Sequence, residues 1–274
     1  MKSKINNPSS FINFLKKKKV GIFIIAKLGS KRLKNKISAD VNKITLIEIL
    51  IKRLIKEIGY HNLIICSSGR DSKSFLQPLK KKYRIKLFFG KNKNVLSRII
   101  NCMNRHQYKH FVRVTGDNPF TDCGAIKKMV KSHIKKKNDF TYTRSLPMGM
   151  QPEVFSYEAL NKFKRQICNQ NSTEYLTYFF LRDDLYKIEN FRIKKVFAQQ
   201  NKLSITVDYA KDLKLLKKLL KSNNGNIYLN SNKIINFLKK NTKQINIPKK
   251  VPIYCDSYDA RYFFDNKKKF VFLD

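Results

Sequence analysis

Two sets of side chains in this sequence could handle phosphate chemistry, and they lie far apart along the chain. The first is in the stretch Val20–Lys36, VGIFIIAKLGSKRLKNK. An apolar run ends there in a loop holding Gly29, Ser30 and the cations Lys27, Lys31, Arg32 and Lys34, with Lys36 closing it. A glycine lets the backbone approach a ligand, free N–H groups can point at phosphate oxygens, and cations neutralise the charge. The spacing is neither that of a Walker loop, G-x-x-x-x-G-K-[ST], nor the dinucleotide pattern G-x-G-x-x-G. A solvated basic connection is the competing reading in so lysine-rich a chain. The second set is a pair of aspartates. Asp117 follows the apolar run Phe111–Val114, with Gly116 permitting a sharp bend and Pro119 stopping the strand. Asp208 stands in the same situation after Ser204–Val207. A carboxylate at the edge of a sheet, facing a polyphosphate, suits Mg²⁺, which prefers a few carboxylates plus phosphate oxygens. Capping a turn is the other ordinary use of such an aspartate. If both carboxylates share one cleft, they can hold one or two Mg²⁺ ions.

The surrounding pattern supplies elements to position these groups. Val20–Ala26 reads as a fully buried strand. Thr45 followed by Glu48 is a capping box for a helix Thr45–Ile58, with Leu46, Ile47, Leu50, Leu54 and Ile58 on one face and Gly59 ending it. Strands are expected at Asn62–Cys66, Ile85–Phe89, Phe111–Val114 and Phe140–Thr143, and helices at Val95–Asn104 behind an Asn94 cap and at Cys123–Lys136 behind an Asp122 cap. Pro78 suits the first turn of a short helix ending near Tyr83. This alternation predicts an α/β fold, a parallel sheet with helices on its faces. Further on, Leu146–Gln151 reads as a flexible loop over the site, and Val154–Ser156 as a short strand that Glu153 starts. Tyr157–Phe163 and Thr173–Leu181 read as helices, the second capped by Ser172. Ile188–Phe197 suits an edge strand, Ser204–Val207 a strand, Tyr209–Leu220 a helix and Asn232–Lys240 a helix capped by Ser231. Residues 1–19 are expected to form a loose N-terminal arm, 20–240 the catalytic domain and 241–274 an aromatic tail. Lysines and aromatics alternate in that tail, which would either stack bases or pack as a strand on a neighbour.

The formal net charge is +40 over 274 residues, with 42% hydrophobic residues, enough for a sizeable core. Such a charge points either to nucleic acid or to a lysine-rich compositional bias joined to anionic small substrates. The lysines are spread through every expected helix rather than gathered in one stripe, which favours the second, and no specific nucleic-acid partner is expected. Five cysteines without C-x-x-C or zinc spacing, and four histidines without clustering, fit free thiols in a reducing cytoplasm. No apolar stretch approaches the ~20 residues needed to span a bilayer.

Six motifs then fall in order. They are A-K-x-G-S-x-R-L-x-x-K from Ala26, C-S-S from Cys66, F-G-x-x-x-N-V-L-S-R from Phe89, R-V-T-G-D-N-P from Arg113, G-x-x-x-E-V-F-S from Gly149 and T-V-D-Y-A-x-D-L from Thr206. Together, over about Val20–Leu220, they resemble the cytidylyltransferase superfamily. The likeness is greatest to its spore-coat polysaccharide branch, related to the 3-deoxy-manno-octulosonate and acylneuraminate cytidylyltransferases. The resemblance implies a three-layer nucleotide-diphospho-sugar transferase fold with a mostly parallel sheet and one reversed strand. It implies activation of a sugar acid by CTP, giving a CMP-sugar and pyrophosphate, and it leaves room for a homodimer. By match to the motifs, Ala26, Lys27, Leu28, Gly29, Ser30, Arg32 and Lys36 would wrap the triphosphate. Ser67 and Thr115 would lie near the cytosine, and Asp117 and Asp208 would hold Mg²⁺. Gly149, Gln151 and Glu153 would face the sugar.

This chain departs from the family pattern at four places. Lys27 replaces an arginine, Lys34-Asn35 replaces Pro-Gly, Gln151 replaces a frequent aspartate, and Tyr175 replaces a histidine after Glu174. A lysine for an arginine turns a bidentate phosphate grip into a point charge. The chemistry implied is attack of a sugar hydroxyl on the α-phosphorus of CTP, helped chiefly by position and charge neutralisation. Two other functions fit parts of the sequence: a related glycosyltransferase using a nucleotide sugar, and a basic nucleic-acid-binding protein with a degenerate core.

Overall fold

The computed structural model describes residues 8–30, 32–91, 94–166, 176–181, 184–193 and 203–245. Within them a seven-stranded sheet has the order β5-β4-β1-β6-β8-β7-β9. Its strands are β1 (Val20–Ile25), β4 (Leu63–Ser67), β5 (Lys86–Phe89), β6 (His110–Thr115), β7 (Phe140–Tyr142), β8 (Glu153–Ser156) and β9 (Ile188–Asn190). Every pairing is parallel except those of β8, which runs against both β6 and β7. The expected parallel α/β architecture with one reversed strand is therefore present.

The central strands read as unbroken apolar runs because both faces are covered. The alternation hidden in those runs sorts them into two cores. Ile22 and Ile24 of β1, Leu63 and Ile65 of β4 and Val112 and Val114 of β6 face one side. There they meet α1 (Pro8–Lys17), α2 (Leu46–Ile58), α3 (Arg70–Tyr83), α5 (Cys123–Lys136), α8 (Ala210–Lys221) and α9 (Ser231–Lys240). Phe23, Ile64, Cys66, Phe111 and Phe155 face the other side, towards α4 (Val95–His106), α6 (Tyr157–Gln166) and α7 (Leu176–Phe180). This second core is built from aromatic pairs, with Phe140–Phe155 ring centroids 4.6 Å apart and Phe155–Phe180 5.1 Å apart. Such contacts add orientation to the area they bury.

Helix boundaries follow local chemistry. Glu48 accepts from Thr45 N at 3.0 Å, completing the capping box of α2, and Gly59 ends that helix at φ +85°. Asn94 accepts from Ser97 N and Asp122 from Ala125 N, as their positions suggest. Burial runs further round α2 than one stripe. Arg53 is buried too, donating to the carbonyls of Ile227 (2.7 Å) and Leu229 (3.0 Å) and lying over the Phe120 ring.

Several expectations change. Residues 8–17, read as part of a loose arm, form α1, because Phe11 and Leu15 supply an apolar face buried in the first core. Helix α3 starts at Arg70, well before Pro78, which sits inside it; its stretch before Pro78 is mostly polar and signals a helix poorly. The cap of α9 is Asn230, which accepts from Lys233 N, while Ser231 donates to Asp122 and ties α9 to the start of α5. The short hairpin β2 (Asp40–Val41) and β3 (Ile44–Thr45) was not foreseen. Asn42 and Lys43 both take positive φ, as a two-residue hairpin turn requires. Ser172, Tyr175, Phe197 and the tail beyond Ile245 lie outside the described residues. Among the described residues no helix is long and apolar enough to cross a membrane.

One buried histidine makes the fold sensitive to acid. His133 on α5 is wholly enclosed, bonded through Nδ1 to Thr141 Oγ1 at 3.0 Å and set edge-on to His110. Burial, and then the neighbouring His110, pushes its pKa down to about 3 from an ordinary 6.5. The unfolded chain therefore takes up a proton below about pH 6.5 that the folded chain refuses, so stability falls as the pH drops through that window. The contribution is at most about 1.4 kcal/mol per pH unit. Denaturant titrations at pH 7 and 4.5 should show a smaller acid loss for His133→Gln than for the parent chain.

Candidate active site

Parallel pairing brings the chemistry-bearing loops to one edge. Ile25 stands beside Cys66 on one side and Thr115 on the other, so the ends of β1, β4 and β6 are level. Ala26, Ser67 and Gly116 are thus neighbours at the carboxyl edge of the sheet, where open α/β sheets bind ligands. Gly116 N donates to Ile25 O at 2.9 Å. A Cβ on Gly116 would lie 2.8 Å from that of Ala26, so a glycine is needed for this approach.

Asp208 arrives by a different route. Ser204–Val207, expected as a strand, makes a single bridge, Met148 with Ser204, because the chain turns away at Gly149. The extended segment is nevertheless pinned: Met148 N donates to Leu203 O, Ile205 N to Met148 O and Val207 N to Asp117 O, each near 3 Å. The last bond sets Asp208 beside Asp117. Leu146–Gln151, expected to be a flexible loop, is held by the same bonds and by the buried side chains of Leu146 and Met150. Gly149 has φ +84° and lies against the backbone of Ile205 and Thr206.

The two carboxylates converge on one ammonium. Lys36 Nζ lies 2.5 Å from Asp117 Oδ2 and 2.8 Å from Asp208 Oδ1, and Arg32 Nη2 lies 2.8 Å from the same Asp208 oxygen. The Lys36, Asp117 and Asp208 side chains are 13%, 21% and 14% exposed. Burial works against the charge on Lys36, but Asp117 and Asp208 outweigh it and its pKa is raised. Burial likewise pushes Asp117 up, but Lys36 and the Thr115 hydroxyl overcome this and hold its carboxyl below the usual range. The acid therefore stays ionised and the amine protonated.

Side chains that the sequence reading did not single out buttress the pair. Asn118 donates to Thr115 Oγ1 at 2.8 Å and accepts from Thr206 Oγ1 at 2.6 Å, so Thr115 is spent on Asp117 rather than left open. Asp212 accepts from the backbone N–H groups of Asp208 and Tyr209. The T-G-D-N-P and T-V-D-Y-A-x-D strings contain all of these residues, but spacing alone does not say which hydroxyl meets which amide.

The basic loop curls over this pair. Gly29 takes φ +83°, with open space where a Cβ would be. Asn35, in place of a glycine, adopts the left-handed conformation that asparagine tolerates. Its Oδ1 accepts from Gly29 N at 3.2 Å, Ser72 Oγ accepts from Leu28 N at 2.8 Å, and Ser30 Oγ donates to Leu33 O. The expected free amides at Leu28 and Gly29 are therefore capped by side chains, since such groups need a partner. Lys27 is half-buried at the start of the loop, and Lys31 lies outside the described residues.

The residues expected to face a sugar are partly committed. Glu153 is bonded to Arg113 Nη1 at 2.6 Å and to the Thr177 hydroxyl, and Gln151 Nε2 donates to Leu146 O. Ser67 is fully buried, and its hydroxyl has no partner among the described residues. A separate cleft of about 460 Å³, lined by Lys16, Lys86, His61 and His106 among others, lies at the opposite edge, before the strands begin. It contains none of the residues described above.

Two carboxylates on one cation are a donor set that would suit a hard divalent ion. Among the described residues no group of three or more His, Cys, Asp or Glu could hold a metal. Mg²⁺ does not need one, because it keeps waters and takes phosphate oxygens.

The chain is similar to known proteins in sequence and in fold. The family model described as cytidylyltransferase matches residues 22–245. The spore coat polysaccharide biosynthesis protein SpsF of Bacillus subtilis is 27% identical over 228 residues, covering 80% of this chain and 94% of SpsF. A cytidylyltransferase from Leptospira borgpetersenii superposes with a TM-score of 0.73 at 22% identity, over 84% of this chain and 98% of that one. A CMP:2-keto-3-deoxy-manno-octonic acid synthetase, solved with CTP, superposes with a TM-score of 0.58 at 11% identity, over 75% of this chain and 99% of that one.

Two glycines with positive φ in this region, Gly149 and Gly29, should respond differently to a methyl group. Gly149→Ala puts a Cβ 2.5 Å from Thr206 N, a backbone atom of the segment that carries Asp208. It should destabilise the protein by about 2 kcal/mol or more. Gly29→Ala meets strain but no atom and should lose only about 1 kcal/mol. Thermal denaturation of the two variants ranks them.

Proposed function

The chain belongs to the cytidylyltransferase family, and from that membership we propose that it joins CMP from CTP to a sugar acid, releasing pyrophosphate, for glycan or surface-polysaccharide synthesis in the cytoplasm. The observation that carries this reading is the convergence of Asp117 and Asp208 on Lys36, beneath a glycine-containing basic loop. Mg²⁺ bound by Asp117 and Asp208 would supply charge neutralisation on the phosphates and acidify the attacking hydroxyl.

The side chains support the remaining roles. Arg32 and Lys36 hold positive charge where the triphosphate would lie, and Lys27 begins the same loop. Gly29 leaves room for close backbone approach. The Thr206–Asn118–Thr115 chain fixes the Asp117 carboxylate, while Asp212 fixes the turn at Asp208. The sugar hydroxyl attacks the α-phosphorus as the bond to the bridging oxygen of pyrophosphate breaks in line. His61 and His106 line the cleft at the opposite edge, and His110 and His133 pack together away from the loop, so no histidine is offered here as a base. The buried Ser67 hydroxyl beside Ala26, without a partner among the described residues, favours Ser67 as the polar group on the base side. The commitment of Glu153 to Arg113 supports a role for that pair in shaping the sugar side rather than in bonding to it directly.

The test is pyrophosphate release with each nucleoside triphosphate against a panel of sugar acids. Release should require CTP, a sugar acid and Mg²⁺. Asp117→Asn should lower turnover by about a thousandfold, in the range of losing a charged group that acts in the transition state, with the fold retained. Near-normal turnover of Asp117→Asn with Mg²⁺, or release with no nucleotide preference, would count against the proposal.

A further inference from the structure

Lys36 occupies the position between the two carboxylates that a divalent cation would need. Its ammonium bonds to Asp117 Oδ2 and Asp208 Oδ1 at once, and all three side chains are mostly buried. With both carboxylates ionised, the ammonium between them offsets the repulsion of two like charges. Lys36 is anchored by a short 3-10 turn, Lys36–Ser38, whose Ser38 N donates to Asn35 O and whose Ile37 is buried in the core. Its backbone is therefore fixed, while its side chain is long and rotatable.

We propose that Lys36 is an exchangeable internal cation: it holds Asp117 and Asp208 together before metal arrives, and the arriving metal displaces it towards the phosphates. This rests on the metal-dependent reading above and adds what the free protein does with the site. The exchange has a charge consequence. A dication replacing one ammonium between the carboxylates leaves that ammonium uncompensated at the mouth of the loop, where a polyanion can take it up. Metal alone must break both Lys36 bonds, whereas metal arriving with a nucleotide gives Lys36 new oxygen partners. Binding of the two ligands is then coupled through one side chain, and by linkage the coupling is reciprocal.

Direct Mn²⁺ binding to the full chain tests this without any turnover, by the paramagnetic signal of free Mn²⁺. Lys36→Met should bind Mn²⁺ about tenfold or more tightly than the parent, because Asp117 loses its cation and Asp208 keeps only the half-exposed Arg32. Without metal the variant should melt lower than the parent, and Mn²⁺ should raise its melting temperature by more. Lys36→Gln is the second variant, a polar side chain with no charge, and should behave the same way. Asp117→Asn should abolish tight binding in either background. Equal or weaker Mn²⁺ binding by both Lys36 variants overturns the exchange, as does their failure to fold even with saturating Mn²⁺. Mn²⁺ binding that ignores Asp117→Asn removes the metal site itself, and the exchange falls with it.

Discussion

Two ionised carboxylates some ninety positions apart in the chain repel each other when packed side by side, unless a cation lies between them. Lys36 lies between them, and the surrounding bonds bring the three side chains together. Gly116 brings β6 close enough to Ala26 for Asp117 to emerge beside the basic loop. Val207 donates to the Asp117 carbonyl and sets Asp208 alongside. Thr115, Asn118 and Thr206 then hold the first carboxylate in place, and Asp212 the second. A partly buried charge network of this kind contributes little net stability, since desolvation offsets attraction. Its value is geometric: it keeps an ionised pair aimed at one point.

The loop above the pair follows the same logic. Amides that would meet a ligand are occupied by side-chain oxygens from Asn35 and Ser72, and the carboxylates by Lys36. Each internal partner resembles the group a nucleotide–metal complex would bring, an oxygen for an amide and a cation for a carboxylate. A site satisfied in this way has its amides and carboxylates partnered within the chain. The asparagine at position 35 is instructive, because it reproduces the left-handed backbone a glycine would allow and adds an acceptor that glycine lacks.

The central sheet was legible because buried parallel strands read as apolar runs and their caps are local events: Thr45 with Glu48, Asn94 with Ser97, Asp122 with Ala125. Asp117 was legible as a strand-end carboxylate, whereas Asp208, read the same way, follows an extended segment that makes a single bridge. What escaped was long-range or conditional. Burial of Phe11 and Leu15 depends on a core built from distant strands, so a short helix looked like an arm. Leu146–Gln151 looked flexible from its proline and glycine, but its apolar side chains and the bonds of Met148 pin it. Ser231 and Asn230 are both good caps, and only the reach of Ser231 to Asp122 decides between them. The partners of Thr115 and Glu153 are set by register across the sheet, which no local pattern encodes.

The most direct measurement is the anomalous scattering of Mn²⁺ in crystals grown with CTP. The account requires a peak between the Asp117 and Asp208 carboxylates, phosphate density against Gly29 and Ser30, and the Lys36 ammonium moved from the carboxylates onto phosphate oxygen. Manganese bound elsewhere, or CTP seated in the cleft lined by His61 and His106, would contradict it.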